Sequence, residues 1–138
     1  MAKYGSPSIV IEVDDSGGVA RNLSQYILDE VAVAIEALLE ESHAFGDSWR
    51  EYLSTGLRQL GPITFGGFYD DVANGPHVVF KDVADSPTTA TRTVTITWGG
   101  GKTTSFEVVL SNYTRKAIRG QITKFTAVGT PTGLVTEV

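Results

Sequence analysis

Apolar and polar residues alternate strictly along several short segments of the chain, the pattern of a β-strand with one buried face. The opening strand covers residues 8–14 (SIVIEVD), and a late pair covers residues 93–98 (TVTITW) and 103–111 (TTSFEVVLS). Three glycines and a lysine between that pair predict a hairpin loop at residues 99–102. The apolar members of these strands are predicted to be buried: Ile9, Ile11, Val13, Val94, Ile96, Trp98, Phe106, Val108 and Leu110.

Residues 31–41, VAVAIEALLEE, fit two patterns equally well. Their helix propensity is high, and Val31, Ile35 and Leu38 lie on one helical stripe. The same segment also alternates as a strand does, with Ala32, Ala34, Glu36, Leu38 and Glu40 on the second face. Periodicity alone therefore leaves helix and strand open here.

Two short helices and two further strands are predicted elsewhere. Asp47 or Ser48 can cap a helix at residues 49–55, which Gly56 would end, and Pro76 can open a helix at residues 76–85. The strands cover residues 63–71, with weak points at the paired glycines, and residues 121–129. The pattern predicts a mainly β fold: an antiparallel β-sandwich or partly closed barrel with one or two short flanking helices.

Composition limits the classes of function. A chain of 138 residues without cysteine predicts one domain (residues 1–138) that has no disulfides and no thiolate metal site. The net charge of −5 does not provide the basic footprint that phosphate binding requires. The N-terminus lacks the pattern of a signal peptide, and no apolar run is long enough to span a bilayer.

No catalytic, cofactor or metal site is predicted. The pairs Asp14-Asp15 and Asp70-Asp71 lie at strand ends beside glycine or asparagine, where aspartate favours turns. His43 and His77 have no metal-ligand spacing, and both are expected in loops or on the surface. The residues GGGK join two strands, whereas a phosphate-binding loop leads from a strand into a helix. Arg115, Lys116 and Arg119 form the main basic group, expected to be solvated or to pair between subunits.

Several short motifs, in their order along the chain, resemble one known family. They are DDSGG (14–18), NLSxYI (22–27), FGDSW (45–49), GLR (56–58), FYDD (68–71), NGP (74–76) and FTAVGTPTG (125–133). Each is weak alone, but together they span residues 8–133 and resemble the tail tube proteins, or major tail proteins, of long-tailed bacteriophages and phage-like particles.

The resemblance implies a non-enzymatic subunit that forms hexameric rings, which stack into a tube of the virion tail. It implies a strand for residues 31–41, tape-measure, tail-tip and tail-terminator proteins as partners, and DNA that passes without specific binding. No membrane partner is implied, and the subunit is expected in the host cytoplasm before assembly. Residues 1–7 are expected to form a mobile N-terminal arm and residues 130–138 a mobile C-terminal tail.

Two sets of site residues follow from this resemblance and the strand faces. Small hydroxyls and carboxylates suit a channel that conducts a polyanion, and tryptophan, tyrosine and arginine are enriched at interfaces. The residues expected to face the lumen are Glu36, Glu40, Thr95, Ser105 and Glu107. Those expected at subunit contacts are Trp49, Arg50, Tyr52, Arg58, Arg115 and Arg119.

Two other classes of function compete with the tube subunit. A ligand- or carbohydrate-binding β-sandwich module of a virion would favour aromatic residues clustered at one loop end, whereas the aromatics here are dispersed along the sequence. A small enzyme would need convergent polar groups in one pocket.

Overall fold

Eight strands and one short α-helix make up the described part of a computed structural model, namely residues 3, 5–28, 30–81, 83 and 91–138. A 3₁₀ helix at Ser6–Ser8 precedes them. The helix α1 is Pro76–Phe80. The strands are β1 (Val10–Asp14), β2 (Ala20–Asn22), β3 (Ile35–Glu41), β4 (Tyr52–Leu60), β5 (Ile63–Phe68), β6 (Arg92–Gly99), β7 (Lys102–Lys116) and β8 (Lys124–Glu137).

Six strands form one antiparallel sheet in the order β2-β1-β6-β7-β8-β5, which curls into a half-barrel. The ribbon of β7 and β8 is long, and its pairing shifts register near Leu110. Such bulges bend a strand and increase its twist. The first half of β7 therefore pairs with β6, while the first half of β8 pairs with β5. The prediction of a mainly β, antiparallel fold is confirmed.

The core lies on one face of this sheet, as the alternation predicted. Val13, Val94, Ile96 and Val108 have no exposed surface, and Ile11, Phe106 and Leu110 are also buried. Ile9 and Trp98 are half-buried and pack against this core. From α1, the ring of Phe80 packs on the rings of Phe65 and Phe125, with centroids 5.8 and 5.6 Å away. The helix therefore fills the open side of the half-barrel.

The strands β3 and β4 form a separate two-stranded antiparallel sheet. The strand assignment for residues 31–41 is correct from Ile35 onward. The expectation of a buried face is wrong for β3, because every residue of the strand is exposed. Within the described chain, β3 pairs only with β4, and no second layer covers either of its faces. The apolar residues that do pack on the core are Val31 and Val33, before the strand begins.

The predicted helix at residues 49–55 is wrong. Tyr52 begins β4, and the Asp47 carboxylate accepts a hydrogen bond at 2.7 Å from the N–H of Ala44, which lies three residues earlier in the chain. Asp47 therefore closes a tight turn and does not cap a helix that follows it. The second helix begins at Pro76 as predicted, and residues 82, 84 and 85 of the predicted helix lie outside the described residues.

The two chain ends were expected to form a mobile arm and a mobile tail. Residues 130–137, expected in the C-terminal tail, continue β8 and pair with β7. Of the N-terminal arm, residues 1, 2 and 4 lie outside the described residues. The mobility of either end in a free subunit stays a prediction.

Candidate functional site

We call β3, β4 and the loop 42–51 between them the arm. It presents the largest apolar side chains that the described chain exposes: Phe45 is fully exposed, and Trp49, Leu53 and Leu57 are 84%, 64% and 62% exposed. Ile35, Leu38, Leu39 and Tyr52 on the same arm are also exposed. A lone two-stranded hairpin is marginally stable in water, and contiguous exposed apolar surface marks an interaction site. The arm therefore has the properties of a surface that a partner covers.

Local hydrogen bonds give the arm a defined shape. The Ser42 N–H donates to the Glu51 carbonyl at 3.0 Å, which closes the base of the loop. Nearer the base of the arm, three residues of β4 lie opposite the single residue Leu38 of β3, so β4 bulges at this point. Gly56 in this bulge has φ = 83°, a conformation that favours glycine, and the Thr55 hydroxyl donates to the Leu38 carbonyl at 3.0 Å.

The chain segment that enters the arm is fixed against β5. The Leu28 N–H donates to the Gly66 carbonyl at 2.8 Å, and the Phe68 N–H donates to the Tyr26 carbonyl at 2.9 Å. A Cβ at Gly67 would lie 1.8 Å from the Tyr26 carbonyl oxygen. The glycine predicted to weaken this strand is thus required for the close approach of two backbone segments.

Three residues expected at the lumen lie together on the main sheet, on the face away from the core. Thr95 and Ser105 are cross-strand partners, and their hydroxyl oxygens are 3.4 Å apart. Glu107 lies farther along β7 and accepts a hydrogen bond from the Thr93 hydroxyl at 2.5 Å. Burial, together with the nearby Glu107 carboxylate, raises the pKa of Asp14 although contacts with Thr93 oppose the shift. This face is therefore polar and acidic.

The other two residues expected at the lumen lie on the arm. Glu36 and Glu40 project from the same face of β3, because they are four positions apart on one strand. The Glu36 carboxylate accepts a hydrogen bond from the Gln59 side-chain amide at 3.1 Å, and Glu40 lies opposite Leu53. The five lumen candidates are thus divided between two sheets, and their common exposure to a channel stays a prediction.

The residues expected at subunit contacts also divide into two groups. Trp49 and Arg50 lie in the arm loop, and Tyr52 and Arg58 lie on β4. Arg115 and Arg119 lie outside the arm, at the end of β7 and in the turn before β8.

Sequence reasoning missed an aromatic cluster beside Arg115. The Arg115 guanidinium carbon lies 5.8 and 5.5 Å from the ring centroids of Tyr69 and Tyr113. His77, which was expected in a loop or on the surface, is instead a half-buried residue of α1, and its Nδ1 lies 3.0 Å from the Tyr113 hydroxyl. Burial raises the pKa of the Tyr113 hydroxyl. Tyr113 and Arg115 are neighbours on one face of β7, but Tyr69 and His77 come from other segments, so no local motif could have predicted the cluster.

The acidic pairs form turns, as predicted. Asp15 Oδ1 accepts hydrogen bonds from the N–H groups of Gly17 and Val19, and its Oδ2 accepts one from Arg21 Nε at 2.9 Å. These bonds, that from Val19 above all, lower the pKa of Asp15. Asp70 accepts a hydrogen bond from the Val72 N–H at 3.0 Å. Across the described residues, no three acidic or histidine side chains group as metal ligands would.

Two clefts flank the base of the arm. One, of about 840 Å³, lies between β4 and the second half of β8, with Leu57, Leu60, Pro131 and Leu134 among its lining residues. The other, of about 560 Å³, is lined by Leu28, Glu30, Ala32 and Pro62 and by the paired ends of β7 and β8. In the part of the chain described, no helix is long and apolar enough to cross a bilayer.

Comparison with known proteins identifies the fold. No family model and no curated protein sequence matches the chain. A chain from the tail of an empty gene transfer agent (GTA) particle, computed with C6 symmetry, superposes with a TM-score of 0.74 at 13% identity over 99% of both chains. A chain from the native GTA virion gives 0.73 at 13% identity over the same shares.

A third structure is a chain from the six-fold symmetrised baseplate of the anti-feeding prophage. It superposes with a TM-score of 0.76 at 9% identity, covering 100% of this chain and 97% of that chain. At such identities the likeness concerns the fold. The chain therefore has the fold of tail tube proteins of phage-like particles, as its sequence resemblance predicted.

Proposed function

We propose that this protein is a single-domain structural subunit that assembles with copies of itself into hexameric rings, which stack into the tube of a virion tail. The observation that carries the proposal is the arm, an apolar hairpin exposed on both faces within one copy. The six-fold symmetry of the particles that share the fold supports the ring number.

Burial of the arm between copies supplies the driving force for assembly. Full burial of a leucine side chain contributes roughly 1.5–3 kcal/mol, and Leu39, Leu53 and Leu57 are more than half exposed in one copy. Covering these three and the indole of Trp49 in a neighbour therefore contributes several kcal/mol per contact. A large subunit interface of this kind makes free monomers the minor species at high concentration.

The channel of the tube is lined by the polar face of the main sheet and by the carboxylate face of β3. Glu107 with Thr95 and Ser105 belongs to the first face, and Glu36 with Glu40 belongs to the second. Carboxylates repel DNA phosphates over roughly a Debye length of 8 Å at physiological salt, so DNA passes without specific binding. A density map that puts these side chains on the outer wall would contradict this part of the proposal.

The protein acts without catalysis, as a component of the virion tail that is made in the host cytoplasm. Tape-measure, tail-tip and tail-terminator proteins are its further partners. The aspartate turns support a non-catalytic role, since the carboxylate of Asp15 and one oxygen of Asp70 are taken up by backbone and arginine donors.

Sedimentation velocity across a concentration series tests the role of the arm. The double variant Leu53→Lys with Leu57→Lys places two charges on the arm and should stay monomeric where the wild type forms large assemblies. Val19→Lys is the matched control, because Val19 is 49% exposed in a turn away from the arm. Equal assembly of the arm variant and the wild type would contradict the proposal.

A further inference from the structure

The cleft of about 560 Å³, which we call the basic cleft, has an unusual rim. Lys116 and Lys124 are cross-strand partners and both line the cleft. Residues directly opposite in antiparallel strands have Cβ atoms about 5 Å apart, and like charges there are destabilising. Neither lysine forms an ion pair within the part of the chain that the structure describes.

The walls of the basic cleft are largely apolar. Leu28, Ala32 and Pro62 contribute to them, and Gly66 of β5, which has no side chain, also lines the cleft. The exposed Glu30 also lines the cleft, but residues 115–124 carry four basic side chains and no acidic one. A complementary occupant is therefore an apolar group that carries a carboxylate.

The arm tip, residues 42–51, has these properties. Phe45 and Trp49 project into solvent, and the turn that Asp47 closes holds the backbone between them. Residues 42–51 carry two carboxylates, those of Asp47 and Glu51, against one arginine. Glu51 lies at the base of the tip, is exposed and has no side-chain partner among the described residues.

The arm tip does not reach the basic cleft of its own copy. Pro62, which lines the cleft, follows the end of β4 at the base of the arm. The seven residues of β3 span about 23 Å at roughly 3.3 Å per residue, and they separate the tip from that base. An occupant with the chemistry of the arm tip must therefore come from another copy.

We propose that the arm tip of one copy docks in the basic cleft of a neighbouring copy. Trp49 and Phe45 cover the apolar walls, and the Glu51 carboxylate lies between Lys116 and Lys124. The contact joins two different surfaces, so it is heterologous and builds rings or filaments. It rests on the proposed tube function, for which it names one specific contact between subunits.

Charge reversal tests the pairing. Glu51→Lys and Lys124→Glu should each raise the concentration needed for assembly by about tenfold, which corresponds to about 1.4 kcal/mol. The double variant that carries both changes should return to within a few-fold of the wild type. Lys102→Glu is the control, since it changes the net charge as Lys124→Glu does but lies in the β6–β7 hairpin. If the double variant assembles as poorly as the two single effects predict when added, the pairing is overturned.

Disulfide trapping provides a second test, because the chain has no cysteine of its own. A mixture of Trp49→Cys and Lys124→Cys subunits is assembled at a concentration high enough to compensate for the weakened contact, and the assemblies are then oxidised. Covalent dimers are expected in this mixture and not when Lys102→Cys replaces Lys124→Cys.

The outcomes separate the two proposals. Tubes that form without these dimers would overturn the docking contact and leave the tube function standing. A wild type that forms no assembly would overturn both.

Discussion

The substitution Gly67→Ala tests how the chain positions the arm. The added methyl would lie 1.8 Å from the Tyr26 carbonyl oxygen, 2.7 Å from its carbonyl carbon and 3.0 Å from Ile27 Cα. All three are backbone atoms, so no side-chain rotation relieves the clash. The segment must move away from β5, and the hydrogen bonds Phe68 N–H to Tyr26 O and Leu28 N–H to Gly66 O then lengthen or break.

The expected cost follows from two contributions. Overpacking costs typically about 1–3 kcal/mol, and each lost backbone hydrogen bond about 1 kcal/mol net. The sum is roughly 3–5 kcal/mol, a large part of the roughly 5–15 kcal/mol by which domains are stable. Urea unfolding followed by circular dichroism, at concentrations below assembly, measures this loss.

Gly66→Ala is the matched control on the adjacent residue. Its added methyl meets nothing nearer than the Phe125 carbonyl oxygen at 3.9 Å, an ordinary contact. A glycine-to-alanine change that the backbone accommodates alters stability by about 0.4–1 kcal/mol in the favourable direction. If Gly67→Ala stays within about 0.5 kcal/mol of the wild type or stabilises it, the close approach of the two segments is refuted.

Three further outcomes are expected. Asp15→Asn lowers the melting temperature at neutral pH, because the folded-state pKa of Asp15 is lowered from its ordinary 3.8 and the ionised carboxylate stabilises the fold. The difference in melting temperature between variant and wild type should vanish as pH falls through the folded-state pKa, and a difference that stays constant in thermal scans would contradict this. Phe80→Ala costs about 3–5 kcal/mol in urea unfolding, whereas the exposed Ile122→Ala stays within about 0.5 kcal/mol. Glu36→Lys with Glu107→Lys leaves tubes intact but makes them retain labelled DNA in a gel-shift assay; unchanged retention would count against the lumen assignment.

The strands of the main sheet were predictable because one copy buries one of their faces. Residues such as Val94 and Ile96 alternate with threonines, and the core covers the apolar set. The turn roles of Asp15 and Asp70 were predictable for a similar reason, since each carboxylate bonds its own nearby backbone.

The arm was harder to predict, because its apolar residues meet no core of their own copy. Residues 49–55, which include Leu53, were predicted to form a helix. In β4 the bulge at Gly56 breaks the apolar–polar alternation between Leu53 and Leu57. The continuation of β8 was missed because proline and glycine usually end a strand. The pairing of β8 with β5 ends at Gly129, so Pro131 lies where one side of β8 is an unpaired edge of the sheet. Proline is tolerated at such an edge.

The candidate site depends on contacts between distant segments, which local patterns do not record. Lys116 and Lys124 become partners only when β7 and β8 pair. Leu28, Glu30 and Ala32 line the cleft only when their segment is bonded to β5. The sequence predicted the basic group at residues 115–119, but it did not predict the cleft beside it.

Negative-stain electron microscopy of the purified wild-type protein at high concentration tests the central claim most directly. The account predicts uniform hollow rings or tubes, whose end views average to six-fold symmetry. Folded protein that stays a monodisperse monomer at the same concentration would contradict a self-assembling tube subunit and favour a ligand-binding module instead.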